Sequence, residues 1–310
     1  MAESILSTSE QIESLWSLGG LTWKELARRV WSNMQNNDLL NRGYELAYNF
    51  LLAVFPMLLV LVALIGIFAA ESTTLRNDLF YYFQVALPPA AYRLVTATMG
   101  EITRASGGGK LTFGLLFALY SGSAGMTQLM TTLNAAYAVR ERRSWLRVHL
   151  TSLGLTLGIA ALIIAALLLV IAGGYVLNLV SEHIGINLAS YIAIKVMQWI
   201  CALTFVVTAF ATIYYFAPNV HEQHWYWITP GSLVGVTIWI LASGGLRLYL
   251  HFSNSYSKTY GSLAAVMILM LWFYVTGLAF LVGGQINATI EHAAAEQGHP
   301  EAKAPGQKAA

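Results

Sequence analysis

Charged residues are scarce in this chain, and their scarcity excludes an ordinary water-soluble fold. Of its 310 residues only 10% are charged and 57% are hydrophobic, whereas a soluble domain carries about 25% charged residues. The net charge of +2 is too small for the concentrated basic face that nucleic-acid binding requires, so we expect no nucleic-acid partner. The single cysteine, Cys201, lies inside an apolar run, which excludes a disulfide framework and a cysteine zinc site.

The usual motifs of catalysis are missing as well. Residues 107–110 resemble a phosphate-binding loop, but the first glycine and the hydroxyl residue of that motif are absent. His221 and His224 lack the spacing that places two imidazoles above one zinc ion. We see no paired carboxylates and no nucleophile motif. We therefore expect no enzyme, no catalytic residue, no metal and no cofactor. The first twenty residues also lack the features of a signal peptide.

Long apolar runs are what the sequence has instead. A membrane-spanning helix needs about 20 mostly apolar residues, because its backbone must satisfy its own hydrogen bonds. Six runs meet this requirement, which predicts an all-α, polytopic bundle of about six transmembrane helices; they cover residues 44–70, 111–139, 148–179, 188–217, 225–250 and 260–290. The predicted domains are an N-terminal segment (1–43), a membrane domain (44–291) and a disordered tail (292–310).

The segment before the first run predicts a helix over residues 21–40. Thr22 and Glu25 form a capping box, and apolar residues then recur at helical spacing beside basic ones. Such a helix is suited to lying on an anionic membrane leaflet. The alternative is a soluble helix that packs beneath the bundle.

Basic residues predict the orientation of the bundle. They cluster before the first span and in the loop after the second: Lys24, Arg28, Arg29, Arg42, Arg140, Arg142, Arg143 and Arg147. Both regions should be cytoplasmic, as should both termini. Residues 71–110 would then lie outside as a pair of short amphipathic helices resting on the membrane, or as a lid that re-enters it.

The second span contains a stripe of small and polar residues along one helical face. Its members recur at alternating intervals of four and three: Gly114, Ala118, Ser121, Gly125, Gln128, Thr132 and Ala135. Small residues let helices approach closely, and hydroxyl and amide groups bond across the interface, so close packing explains the stripe. The alternative is that the stripe lines a polar pathway through the bundle.

Ionisable residues within the spans are the best functional candidates, because charge inside the bilayer is costly. Arg247 could hold an anionic headgroup or extend to the interface, and Lys195 could reach water along its stem. Glu45 could form an interfacial ion pair with Arg42. Uncharged polar candidates are Asn49, Asn134, Gln285 and Asn287. Candidate hinges are Pro56, Gly125, Gly244 and Gly245.

Four stretches resemble the YihY/BrkB family of bacterial inner-membrane proteins: YNFLLAVFPMLL, GLLFALYSGSAGMTQLMTTLNAAY, YYFAPN and YGSLAAVMILMLWFYVTGLAFLVGGQINATIE. The resemblance implies a six-span, inner-membrane fold and carries an old ribonuclease BN label. We reject that label, because the loops offer neither metal-binding residues nor a basic RNA groove. Where the family pattern has Glu, this chain has Gln285 in GGQIN.

These features favour a translocator of a lipid or another amphipathic anionic substrate, with membrane lipids as its partners. No nucleotide-binding motif is present, so movement would be passive or driven by a gradient. A membrane scaffold without transport is the alternative, and self-association stays open.

Overall fold

The regular structure is helical throughout the described part of the chain. A computed structural model describes residues 16–68, 96, 119–184, 187–220, 229–252 and 263–297. A 3-10 turn at Leu18–Gly20 precedes seven α-helices: α1 Trp23–Asn36, α2 Leu39–Phe68, α3 Ala124–Ala136, α4 Trp145–Ile184, α5 Leu188–Phe216, α6 Pro230–Phe252 and α7 Leu263–Glu296. No strand occurs in these segments, which confirms the all-α class.

Four helices contain segments long and apolar enough to cross a membrane: Trp145–Ala166, Ala189–Phe216, Pro230–Tyr249 and Val266–Glu296. They coincide with the last four of the six predicted spans. The first predicted span coincides with the 30-residue helix α2. The second is described from residue 119, and α3 forms its last part. The total of six spans stays a prediction.

Helix α7 is the central element of the bundle. It packs against α2 and α6, and it also contacts α1 and α3, while α4 packs mainly against α5. Its segment 283–290 is buried at every position. We call the end of the bundle where this segment lies the basal end; there α2, α4 and α6 begin, and α3, α5 and α7 end.

Helix α2 begins five residues earlier than the predicted span. Asn37 caps α1, and Asp38 then adopts φ 54°, a left-handed conformation that stops the helix and that Asp tolerates better than most residues. Gly43 does not break α2. It is buried, and a Cβ there would lie 2.9 Å from the ring of Tyr274, so its role is the close approach of α2 and α7.

Helix α1 forms as its capping box predicts, since Thr22 Oγ1 accepts a hydrogen bond from Glu25 N at 3.3 Å. Its apolar face lies against the bundle with Leu26, Val30 and Met34 buried. For that face, the structure agrees with the alternative in which the helix packs against the bundle. The opposite face leaves Trp23 and Trp31 exposed, at 66% and 56%, and both rings are free to contact a membrane surface.

Helix α7 continues to Glu296, so residues 292–296, which we assigned to the disordered tail, are helical. Ala293 and Ala294 are buried there, and the 3-10 turn packs on this last turn of α7. These tertiary contacts are the physical reason that the boundary at residue 291 is too early. Apart from residue 96, the predicted external pair of helices (71–110) lies outside the described residues, as does the loop with His221 and His224.

Candidate functional site

The stripe of the second span is divided between packing and exposure. Gly125 is buried, and a Cβ there would lie 2.9 Å from the ring of Phe50 in α2. Thr132 is fully buried and donates to Gln128 O at 2.9 Å. Ser121 is half-buried in the helical turn before α3. Close packing therefore explains Gly125 and Thr132, and this packing argues against Gly125 as a hinge.

Gln128 lies at the edge of that packed face and pairs with the charge of α2. Its Nε2 donates to Glu45 Oε2 at 2.9 Å. Glu45 is exposed and Gln128 is half-buried. The structure thus brings together two residues that the sequence separates by 83 positions. We call this pair the Glu45 site.

The ion pair proposed for Glu45 is replaced by this contact. Arg42 Nε donates to Asn37 O at 3.2 Å, at the turn between α1 and α2. None of the ion pairs within the described segments includes Glu45. Asn49 donates its Nδ2 to Glu45 O at 2.8 Å, so it shares the same turn of α2 as the Glu45 site.

The Glu45 site lies inside the helical bundle's length rather than at its end. Glu45 is six residues past Leu39, and Gln128 is eight residues before Ala136. At about 1.5 Å per residue these counts correspond to about 9 Å and 12 Å along the two helices. The neighbouring Thr131 is also exposed, so polar groups face outward at this level.

Asn134 belongs to a different network, which locks the basal end. Its Nδ2 donates to Glu141 Oε2 at 2.9 Å, and its Oδ1 accepts from Asn219 N at 2.7 Å. Arg143 pairs with Glu141 at 2.7 Å and donates to Ala217 O at 2.9 Å, which caps the end of α5. Both the nitrogen and the oxygen of the Asn134 amide therefore form structural hydrogen bonds.

The carboxylate of Glu141 lies in the loop between α3 and α4, outside the spans. Burial acts to raise its pKa, but hydrogen bonds from Arg143 and Asn134 oppose that effect, and the net pKa lies below its ordinary value. The charged form is thus the one that the network holds. As the acid within an arginine-rich loop, Glu141 could have been predicted from the sequence as a counter-charge.

Gln285 and Asn287 are buried on different faces of α7, since residues two apart differ by about 200° around a helix. Asn287 Oδ1 accepts from Gly231 N at 2.9 Å and its Nδ2 donates to Thr229 Oγ1 at 3.0 Å, which fastens the start of α6. Gln285 is 1% exposed and donates to Thr289 Oγ1 at 3.3 Å. Among the described residues its Oε1 has no partner.

Arg247 does not join Gln128 and Gln285 in one site. It is exposed on α6, 17 residues past Pro230, or about 26 Å from the basal end at about 1.5 Å per residue. Gln285 lies near the start of α6, since Asn287 two residues on bonds Gly231. Gly244 and Gly245 beside Arg247 are exposed, and no described atom lies within 4 Å of a Cβ built at either position.

Lys195 and Pro56 are likewise separate from the Glu45 site. Lys195 Nζ donates to Gln198 Oε1 at 3.5 Å. Gln198 is buried and bonds the carbonyls of Leu169 and Val170 in α4 at 2.9 and 2.6 Å. We missed Gln198, although an amide within an apolar run is the signal that selected Gln128. Pro56 lies within α2, whose helical backbone continues to Phe68.

Comparisons with known proteins match most of this chain to one family and to membrane proteins. Residues 30–307 match the family described as Virulence factor BrkB. YfkH of Bacillus subtilis (strain 168), whose name describes it as ribonuclease-like, is 32% identical over 263 residues, which cover 85% of this chain and 94% of that protein. A UPF0761 membrane protein of Vibrio atlanticus (strain LGP32) is 30% identical over 81% of this chain and 77% of its own length.

A UPF0761 membrane protein of Laribacter hongkongensis (strain HLHK9) is 24% identical over 85% of this chain but only 60% of its own length. No solved structure matches the chain. Within the described residues, no group of three His, Cys, Asp or Glu side chains is placed to hold a metal ion.

Proposed function

We propose that this chain, which belongs to the Virulence factor BrkB family of membrane proteins, crosses the membrane six times and moves a lipid or another amphipathic molecule between leaflets. Four helices among the described residues are long and apolar enough to cross a membrane. The length of α2 and the apolar run that ends with α3 support the other two.

The observation that carries the proposal is the exposed Glu45 site. Hydrocarbon cannot solvate a carboxylate or an amide, so such groups in a span face water, a partner or a passing polar group. Glu45 and Thr131 are exposed and Gln128 is half-buried on α2 and α3, about 9 to 12 Å from the helix ends. Glu45 is the second residue of the predicted span 44–70, so the site lies where the spans meet the membrane interface. A surface of this kind lets a headgroup move beside the protein while its tails stay in the bilayer.

The orientation proposed places the basal end in the cytoplasm, together with both termini, in a bacterial inner membrane. Arg140, Arg142 and Arg147 are exposed in or near the loop at that end, as expected of cytoplasmic loops. Exposed Trp23 and Trp31 of α1 suit the membrane interface on the same side.

We also propose that the protein is not a ribonuclease. The support is chemical, because phosphodiester cleavage needs metal ligands or an acid and base beside a basic groove. The polar groups of the basal network instead bond one another, through Asn134, Glu141 and Arg143.

The test is a lipid-transfer assay in sealed vesicles that contain the purified protein and a fluorescent lipid. A membrane-impermeant quencher reaches only the outer leaflet, so about half of the signal is lost without transfer. We expect a larger loss with the protein, a slower loss with Gln128→Leu, and an unchanged rate with Met126→Leu, a half-buried neighbour on α3. A loss that stays at half with the wild-type protein contradicts the proposal.

One observation favours a scaffold as the second candidate function. Gly154 and Gly158 on α4 are exposed, and no described atom lies within 4 Å of a Cβ built at either position. Small-residue faces of this kind associate with other membrane helices. A scaffold predicts a constitutive complex that Gly154→Leu disrupts, together with no lipid transfer.

A further inference from the structure

The charge of the Glu45 site conflicts with the anionic substrate that the sequence favours. Glu45 carries a carboxylate, and within the described segments no cation forms an ion pair with it. Arg247, the cation that suggested an anionic headgroup, lies elsewhere on α6, and Lys195 lies on α5. A carboxylate repels phosphate and carboxylate headgroups, so this site is suited to a positive group.

The hydrogen-bonding capacity of the site points the same way. Gln128 Nε2 already donates to Glu45, which leaves the amide oxygen to accept. The hydroxyl of Thr131 donates to Thr127 O at 3.0 Å and the amide of Asn49 donates to Glu45 O, so both offer lone pairs. The groups that remain available are predominantly acceptors. A ligand at this site must therefore donate hydrogen bonds.

The position of the site is fixed by packing behind it. The rings of Tyr44 and Tyr274 stack with centroids 4.4 Å apart and planes within 7°. Gly43 and Gly277 bring α2 and α7 together on the same turns, where Leu46 is fully buried. Glu45 thus projects from a turn that is held on its other side, and its carboxylate is held toward α3 by Gln128.

We propose that the Glu45 site binds the protonated primary amine of a lipid headgroup. A primary ammonium has three N–H donors and one positive charge, which match the carboxylate of Glu45 and the amide oxygen of Gln128, an acceptor with no partner among the described residues. The binding inference has one consequence that rests on the proposed function, namely that the transported substrate is an amine-bearing amphiphile. Binding itself requires no transport.

The experiment measures which lipids the full chain retains. The protein is reconstituted in bilayers of equal parts phosphatidylethanolamine, phosphatidylglycerol and phosphatidylcholine, re-extracted in mild detergent, and its retained lipids are quantified by mass spectrometry. We expect enrichment of phosphatidylethanolamine over both others. Phosphatidylcholine is the decisive comparison, since its trimethylated nitrogen keeps the charge but has no N–H to donate.

Two variants separate the effect of the Glu45 charge from the effect of removing any exposed carboxylate. Glu45→Gln removes the charge and still accepts from Gln128, and it should reduce the enrichment about tenfold, the usual effect of one charge-assisted hydrogen bond. Asp38→Asn is the matched control. It removes an exposed carboxylate seven residues away, and Asn tolerates the positive φ of that position.

Equal retention of the three lipids by the wild-type protein, or unchanged enrichment in Glu45→Gln, overturns the inference. Its failure can be told apart from failure of the proposed function. If the protein transfers phosphatidylglycerol and phosphatidylethanolamine at equal rates and retains both lipids equally, the proposed function stands and the amine site is refuted. Amine-selective retention that depends on Glu45, with no transfer of any lipid, keeps the site and removes the function.

Discussion

Two glycines of α6 provide a matched test of how this helix packs on α7. Gly231 is buried, and a Cβ there would overlap Gly283 O and lie 2.5 Å from Asn287 Oδ1, the atom that bonds Gly231 N. Gly244, in the same helix, is exposed, and a Cβ there meets none of the described atoms within 4 Å. Replacement by Ala should therefore have opposite effects on the free energy of unfolding.

The magnitudes follow from the contacts. Gly231→Ala adds overpacking against a backbone carbonyl, about 1 to 3 kcal/mol, and weakens a buried hydrogen bond worth about 1 kcal/mol. Gly244→Ala removes the backbone freedom of a helical glycine and should stabilise the helix by about 0.5 to 1 kcal/mol. The two variants should thus differ by about 2.5 to 5 kcal/mol, at least about sixtyfold in the folding equilibrium.

Equilibrium unfolding in mixed micelles, followed by the signal of the native tryptophans, measures both variants under one condition. We expect the Gly231→Ala transition at lower denaturant than wild type, and the Gly244→Ala transition at equal or higher denaturant. Equal stabilities of the two variants would refute the close approach of α6 and α7 at their basal ends.

Three further predictions concern the basal end. Arg143→Ala should lower the unfolding free energy by about 2 to 3 kcal/mol, because the charged hydrogen bonds of Arg143 to Glu141 and to the end of α5 are lost. As a control in the same assay, Arg142→Ala at an exposed position should change the unfolding free energy by less than about 0.5 kcal/mol. The pKa of Glu141 is held below its ordinary 4.5, so the stability that its charged form contributes is present above that pH and is lost as the pH falls through the folded-state pKa. Glu141→Gln should therefore lower the unfolding free energy at pH 7. Unfolding measured at stepped pH should show that the difference in unfolding free energy between wild type and Glu141→Gln becomes smaller below about pH 4.5. Asn287→Ala should lower the unfolding free energy by about 2 to 3 kcal/mol, because it loses two hydrogen bonds to the start of α6. Gln285→Met should keep the unfolding free energy within about 1 kcal/mol of wild type, because Gln285 Oε1 has no partner among the described residues. Thermal unfolding of the two variants measures the difference.

The helical class could be predicted because its signals are local. Apolar runs fix the spans, and Thr22 with Glu25 fixes the start of α1. The turn at Asp38 was missed, since its positive φ interrupts a sequence whose apolar periodicity continues on both sides. The last turns of α7 were missed for a different reason. Ala293 and Ala294 look like tail composition and become helical through burial against the rest of the chain.

The candidate site could be predicted only as a set of residues. The cost of polar groups in a membrane selected Glu45, Gln128 and Arg247 without ordering them in space. Their partners depend on the packing of α2 on α3 and on the separation along α6, which no local pattern encodes. For the same reason Arg42 was an expected partner of Glu45 from proximity in sequence, whereas it bonds the turn before α2.

The most direct test of the central claim compares transfer of two lipids by the same vesicles. Fluorescent phosphatidylethanolamine and phosphatidylglycerol are followed in vesicles that contain wild type, Glu45→Gln or Asp38→Asn. The account predicts that wild type and Asp38→Asn move the amine lipid faster than the glycerol lipid, and that Glu45→Gln slows the amine lipid about tenfold. Amine-lipid transfer that is no faster with wild-type protein than in protein-free vesicles would contradict it.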